Sequence, residues 1–148
     1  MRPSFDSVCM NIAQINSERS TCLRRKVGAI IVLNGHQQTS GYNGAPKNLQ
    51  HCTEIGECLR EKLNIPSGER HEICRGVHAE ANAIIQAAKF GVSIYGGTLY
   101  CTCYPCSFCT RMIINAGIVE IIYCDNYEDN LAKELLIASG IKIKKFFK

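Results

Sequence analysis

"TLYCTCYPCSFCTRMIINAGIVEIIYC", residues 98–124, changes its period twice. TLYCT (98–102) is a short apolar run of strand length. Pro105 then stands near the start of a helix over 106–116, where a missing N–H costs little. Gly117 closes that helix as a C-cap. IVEIIYC (118–124) is a β-branched strand. The helix opens on Cys106 and Cys109, which at i and i+3 share one face.

Upstream, Ala79, Ala83, Ile84, Ala87 and Ala88 make a helix of residues 78–90, closed by Gly91 and turned by Gly96-Gly97. It opens on His78 and Glu80. Nearer the N-terminus, Phe5, Val8, Cys9, Ile12, Ala13 and Ile15 recur in steps of three and four, which predicts a helix over 4–16. A basic loop (17–26) leads to the strand VGAIIVL (27–33). Asn34-Gly35 is a hairpin turn, and HQQTSGY (36–42) the returning strand. NGAPKN (43–48) is turn chemistry. Downstream come a helix (128–139) and a last alternating strand, IKIKKFF (141–147). The order αββαβαβαβ predicts an α/β fold of three layers, α/β/α, around a mixed sheet of about five strands. Residues 1–148 read as one domain interrupted by an irregular, cysteine-bearing insert at 49–75. A compact domain tolerates so long an irregular loop only when something pins it.

The chain has 148 residues, a net charge of +4 and 46% hydrophobic residues, an ordinary balance for a soluble globular protein. The excess of positive charge suits an anionic small molecule. It is too small and too interrupted, by Asp6, Glu18, Glu54, Glu57 and Glu61, to point to nucleic acid. No stretch is long enough to span a bilayer. The N-terminal segment lacks the apolar core of a signal peptide, so an intracellular, cytoplasmic protein is expected. Ten cysteines in a reducing compartment ask for a metal.

The two helix starts can supply one. Helix N-termini favour thiolates. Cys106, Cys109 and His78 make three zinc ligands, one short of a tetrahedron, the open arrangement of catalytic rather than structural zinc. A carboxylate two residues after the histidine, Glu80, can move protons between water and a substrate nitrogen. A lone C-x-x-C is more often structural or redox-active. H-x-E followed by P-C-x-x-C is the signature of zinc nucleobase deaminases.

RKVGAIIV (25–32), GYNGAP (41–46), VHAEANAI (77–84) and CTCYPCSFCTRMIINAGI (101–118) together resemble the cytidine and deoxycytidylate deaminase superfamily over nearly the whole chain. GYNGAP and the insert after it are most similar to its dCMP deaminase branch. The resemblance implies zinc on His78, Cys106 and Cys109, with Glu80 as proton shuttle. It implies hydrolysis of dCMP to dUMP and ammonia, supplying dUMP for dTTP synthesis. Water would attack C4 while Glu80 protonates N3 and then the leaving amine. Main-chain groups of Ala79 and Cys106 would read the base, Asn43 would contact the nucleotide, and Arg24, Arg25, Lys26 and Tyr127 are the phosphate candidates. Other cytosine nucleotides, dCTP or CMP, and a catalytically silent zinc nucleotide-binding module are the alternatives.

Some bacterial and phage-type enzymes of the branch this chain resembles carry a structural zinc in the region of the insert. Cys22, Cys52, His71 and Cys74 form a candidate set of three thiolates and one imidazole, with Cys58 as the substitute. The resemblance further implies a homohexamer activated by dCTP with Mg2+ and inhibited by dTTP. Asn43, Gln86 and Lys89 are the candidate allosteric residues, although Gln86 and Lys89 stand where an aromatic residue and an arginine would be expected.

Overall fold

The computed structural model describes residues 1–148. Its elements follow the expected order: α1 (Phe5–Ser17), β1 (Gly28–Leu33), β2 (His36–Tyr42), α2 (Cys52–Ile55), α3 (Leu59–Lys62), a 3-10 turn (His71–Ile73), α4 (Ala79–Phe90), β3 (Thr98–Cys103), α5 (Ser107–Asn115), β4 (Glu120–Asp125), α6 (Asn130–Ser139) and β5 (Lys142–Lys145). The five strands form one sheet in the order β2-β1-β3-β4-β5. β1 runs antiparallel to β2 and β3, while β3, β4 and β5 are parallel. The sheet is therefore mixed, as expected.

Period-two burial assigns each strand residue to a layer. Ala29, Ile31, Leu99, Cys101 and Ile121 face α4, α5 and α6. Ile30, Val32, Tyr100 and Ile122 face Cys9, Met10 and Ala13 of α1, which covers the other side alone. Asn34 and Gly35 both take positive φ, the conformation of a two-residue type I′ hairpin.

Two glycines set how closely the helices lie on the sheet. A Cβ at Gly28 would stand 1.9 Å from the Ala13 carbonyl oxygen of α1. A Cβ at Gly41 would stand 2.2 Å from the Ala79 carbonyl oxygen and 2.7 Å from the Ala83 nitrogen of α4. The side-chain amide of Asn82 donates to the Tyr42 carbonyl (2.8 Å), tying the same end of β2 to α4. On the opposite layer Asp6 accepts from the Tyr100 hydroxyl (2.8 Å) and from Lys144 (2.9 Å), tying α1 to β3 and β5.

Three expectations shift. The first helix starts one residue later, because the Ser4 hydroxyl caps it by accepting from Ser7 N–H (3.1 Å). The last strand ends at Lys145, leaving Phe147 largely exposed. The insert is not one irregular loop: α2, α3 and the 3-10 turn occupy it, and Gly56, Asn64 and Arg70 reverse the chain between them with positive φ. Each piece is a single turn, too short to produce the helical periodicity by which longer helices are found.

Candidate active site

α4 and α5 point their first turns at one place. His78 is the N-cap of α4 and Cys106 the N-cap of α5, with Cys109 one turn on. His78 Nδ1 lies 3.4 Å from Cys106 Sγ and 3.5 Å from Cys109 Sγ. All three ligand atoms fall within 4.8 Å of one another. Tetrahedral zinc with thiolate and imidazole bonds of ordinary length separates sulfur from nitrogen by about 3.6 Å. The residues present thus fit the ion. The Cys106 thiol is pulled down, by the hydrogen bond from Cys109 and then by His78, and the Cys109 thiol is pushed up.

Glu80 follows in the first turn of α4 and is only 4% exposed. Burial pushes its carboxyl above the usual range, with the His78 charge opposing. Asp129 steadies the second helix start. One of its oxygens caps α6 by accepting from Ala132 N–H (3.0 Å), and the other accepts from Ser107 N–H (2.8 Å), the first helical residue of α5. A lone aspartate before a helix signals only its own cap in the sequence, so this second role was not legible there.

These groups open onto a cleft whose wall includes Arg24, Arg25, Asn43, Ala79, Cys106 and Tyr127, so most of the expected substrate residues are brought together. Lys26 is not among the lining residues and is exposed, because it lies one step from Arg25 as the chain straightens into β1. Asn43 turns its amide inward along the chain: Oδ1 accepts from Val27 N–H (2.9 Å) and Nδ2 donates to the Arg25 carbonyl (2.7 Å). It shapes the Arg25–Val27 wall of the cleft. Arg25 donates to Cys103 Sγ (3.0 Å) and lies over the Tyr127 ring, 5.2 Å from its centroid. Burial holds the Tyr127 phenol up at about 12. At the regulatory candidates, Gln86 Oε1 accepts from Ser40 N–H (3.0 Å), and Lys89 is exposed beside Phe90.

His71 is where the structure departs most from expectation. It does not join the insert's cysteines. Its Nε2 meets the Tyr127 hydroxyl at 3.0 Å, and its ring packs edge-on to His78, centroids 5.1 Å apart. Burial pushes its imidazole down, and Nδ1 is buried without a partner. The 3-10 turn His71–Ile73 carries this ring to Tyr127, and Cys74 follows at the end of the turn, on the wall of the same cleft. Cys22, Cys58 and Cys74 surround Cys52 closely enough to raise its thiol further, after burial. The Sγ atoms of Cys22 and Cys74 accept backbone N–H bonds from Arg24 and Gly76, both at 3.4 Å. All ten cysteines are free thiols.

Arg60 was not anticipated at all. It lies in α3, is 8% exposed, and lines the same cleft. In the sequence it is one basic residue in the charged run REK, indistinguishable from a solvated face.

Known proteins are similar to this chain over nearly its whole length. Residues 3–125 match the family described as the cytidine and deoxycytidylate deaminase zinc-binding region. Deoxycytidylate deaminase of Saccharomyces cerevisiae is 36% identical over 99% of this chain, and that of Schizosaccharomyces pombe 34% over 98%. The chain spans about half the length of these two relatives, 46% and 45%. The dCMP deaminase of cyanophage S-TIM5, solved in complex with dCMP and dUMP, is 31% identical with a TM-score of 0.78, covering 99% of each chain. No helix here is long and apolar enough to cross a membrane. A histidine and two cysteines gathered from two helix starts at zinc-binding separations, inside a matched region that contains all three, leave one assignment: this chain belongs to the cytidine and deoxycytidylate deaminase family.

Proposed function

We propose that this protein hydrolyses dCMP to dUMP and ammonia, with zinc held by His78, Cys106 and Cys109. The observation that carries the reading is a buried carboxylate, Glu80, two residues from one member of a three-ligand metal set, in a cleft that also collects arginines. Zinc, when bound there, supplies Lewis-acid activation of water at neutral pH. Glu80 takes one proton from the attacking water and passes it to N3, then takes the second from the hydroxyl added at C4 and passes it to the amine, which leaves as ammonia as the C4 carbonyl forms. Burial suits it to this exchange, since a carboxyl raised above its ordinary range holds a proton more readily than a solvated one and can still release it. In this reading Ala79 and Cys106, which line the cleft with the metal ligands, take the base, and Arg24, Arg25 and Tyr127 on the same wall are the phosphate candidates. Asn43 acts by holding the Arg25–Val27 segment.

The test is ammonia release by the zinc-loaded protein from dCMP, CMP, dCTP and deoxycytidine, each offered separately. Turnover of dCMP ahead of the other three is expected. Stoichiometric zinc with no ammonia from any of them would sink the reading. A dead cleft is the property of a silent binding module, which would have no use for a buried carboxylate at position 80.

We assign a second, structural zinc to Cys22, Cys52, Cys58 and Cys74. The N–H bonds to two of the sulfurs and the cleft wall that all four cysteines share support it. Four thiolates make a closed tetrahedral set. It ties the segment before β1 to the insert and accounts for the order of a stretch that buries little of its own. Four free cysteines packing as small apolar groups are the competing account. A Cys52→Ser/Cys74→Ser variant is expected to lose about half of the zinc bound per chain and to melt at lower temperature. Unchanged zinc content removes the second ion from the account.

Ten free thiols suit a reducing, intracellular setting. Control by dCTP with Mg2+ and by dTTP, and the hexamer, rest on the family resemblance; of the three candidate regulatory residues only Lys89 is exposed.

A further inference from the structure

Three arginines line the catalytic cleft, and they are not equally provided for. Arg25 has the Cys103 sulfur and the Tyr127 ring. Arg24 has Glu61 at 3.9 Å across its Nε, while its Nη1 is buried without a partner. Arg60 forms no ion pair. Its Nη2 reaches the Pro66 carbonyl only at 3.5 Å, and its Nε is buried and unpartnered. A guanidinium more than nine-tenths buried with no anion beside it is costly. The cleft supplies no carboxylate to offset it except Glu80, which the chemistry occupies. The cysteine cluster is not its counter-charge either: the cation felt at Cys52 is Arg75. Arg60 is felt instead at His71, His78 and Tyr127, on the catalytic side.

We infer that Arg60, delivered by the insert, and Arg24, delivered by the segment before β1, clamp the 5′-phosphoryl group of the substrate. The inference rests on the nucleotide reading above and names the residues that set its substrate class. A guanidinium binds phosphate through paired N–H donors, which a lysine at the same place would not reproduce. Cys58, two residues before Arg60, and Cys22, two before Arg24, both belong to the cysteine set. The clamp is thus mounted on the same cluster that pins the insert.

The experiment compares Arg60→Gln and Arg60→Lys with the parent protein, using dCMP and deoxycytidine as paired substrates and measuring zinc content alongside. For dCMP, kcat/KM is expected to fall roughly 10²-fold in Arg60→Gln, chiefly through KM, with partial recovery in Arg60→Lys. Deoxycytidine turnover should stay within about twofold, and inorganic phosphate should inhibit the parent more strongly than Arg60→Gln. Equal losses on both substrates would show Arg60 to be part of the scaffold and would overturn the inference, as would an unchanged dCMP value. Failure of the parent protein to deaminate dCMP at all counts against the nucleotide reading instead, and is distinguishable from either.

Discussion

Glu80→Gln leaves ammonia release from dCMP about 10³–10⁴-fold below the parent, with zinc content unchanged. The amide matches the carboxylate in size, so the buried pocket around position 80 stays filled. It cannot accept the proton of the attacking water or deliver one to a ring nitrogen. His78, Cys106 and Cys109 are untouched, so the metal stays. The separation of the two readouts is what makes the result informative. If the variant keeps activity within tenfold of the parent, another group carries the protons. If it loses zinc together with activity, Glu80 is a ligand or a packing residue rather than the proton carrier.

Gly41→Ala has the largest effect expected from a residue outside the cleft. The added methyl would stand 2.2 Å from the Ala79 carbonyl oxygen and 2.7 Å from the Ala83 nitrogen, both backbone atoms of α4. Neither can swing aside, so the first turns of the helix must move. Overpacking of this kind costs about 3 kcal/mol. The turn that moves carries His78 and Glu80, and a displacement of roughly 1 Å at reacting groups is enough for a 10²-fold loss in rate. Gly91→Ala at the other end of α4 is the control, because its Cβ meets nothing. It suffers only the left-handed backbone strain of about 1–2 kcal/mol and leaves kcat alone. Thermal melts and dCMP kinetics on both variants check this. Equal, mild behaviour of the two would mean that α4 does not rest on β2 at Gly41.

How much of this was legible beforehand varies with the range over which each signal acts. The catalytic set was readable because its members are close in sequence on two helix starts. H-x-E occupies the cap and first turn of α4, and C-x-x-C does the same for α5. The strands were readable because burial on both faces leaves near-continuous apolar runs such as AIIV, and the hairpin because Asn34-Gly35 suits positive φ. The insert was read least well. His71 stands beside Tyr127 and His78 because a 3-10 turn of three residues sets its direction, and no periodic pattern announces it.

The sequence by itself determined the α/β order, the hairpin, the three candidate metal ligands and the carboxylate between them, since each depends on local geometry of 3.6- or two-residue period. The tertiary structure alone decided that His71 lies beside His78 and Tyr127, that Cys22, Cys52, Cys58 and Cys74 line one cleft, that Asp129 steadies α5, and that a surface-like arginine at position 60 is buried without a counter-charge. Those are matters of which distant segments meet. Contacts between residues dozens of positions apart are set by how the layers pack, and a charged side chain looks the same in a sequence whether water or a cleft surrounds it.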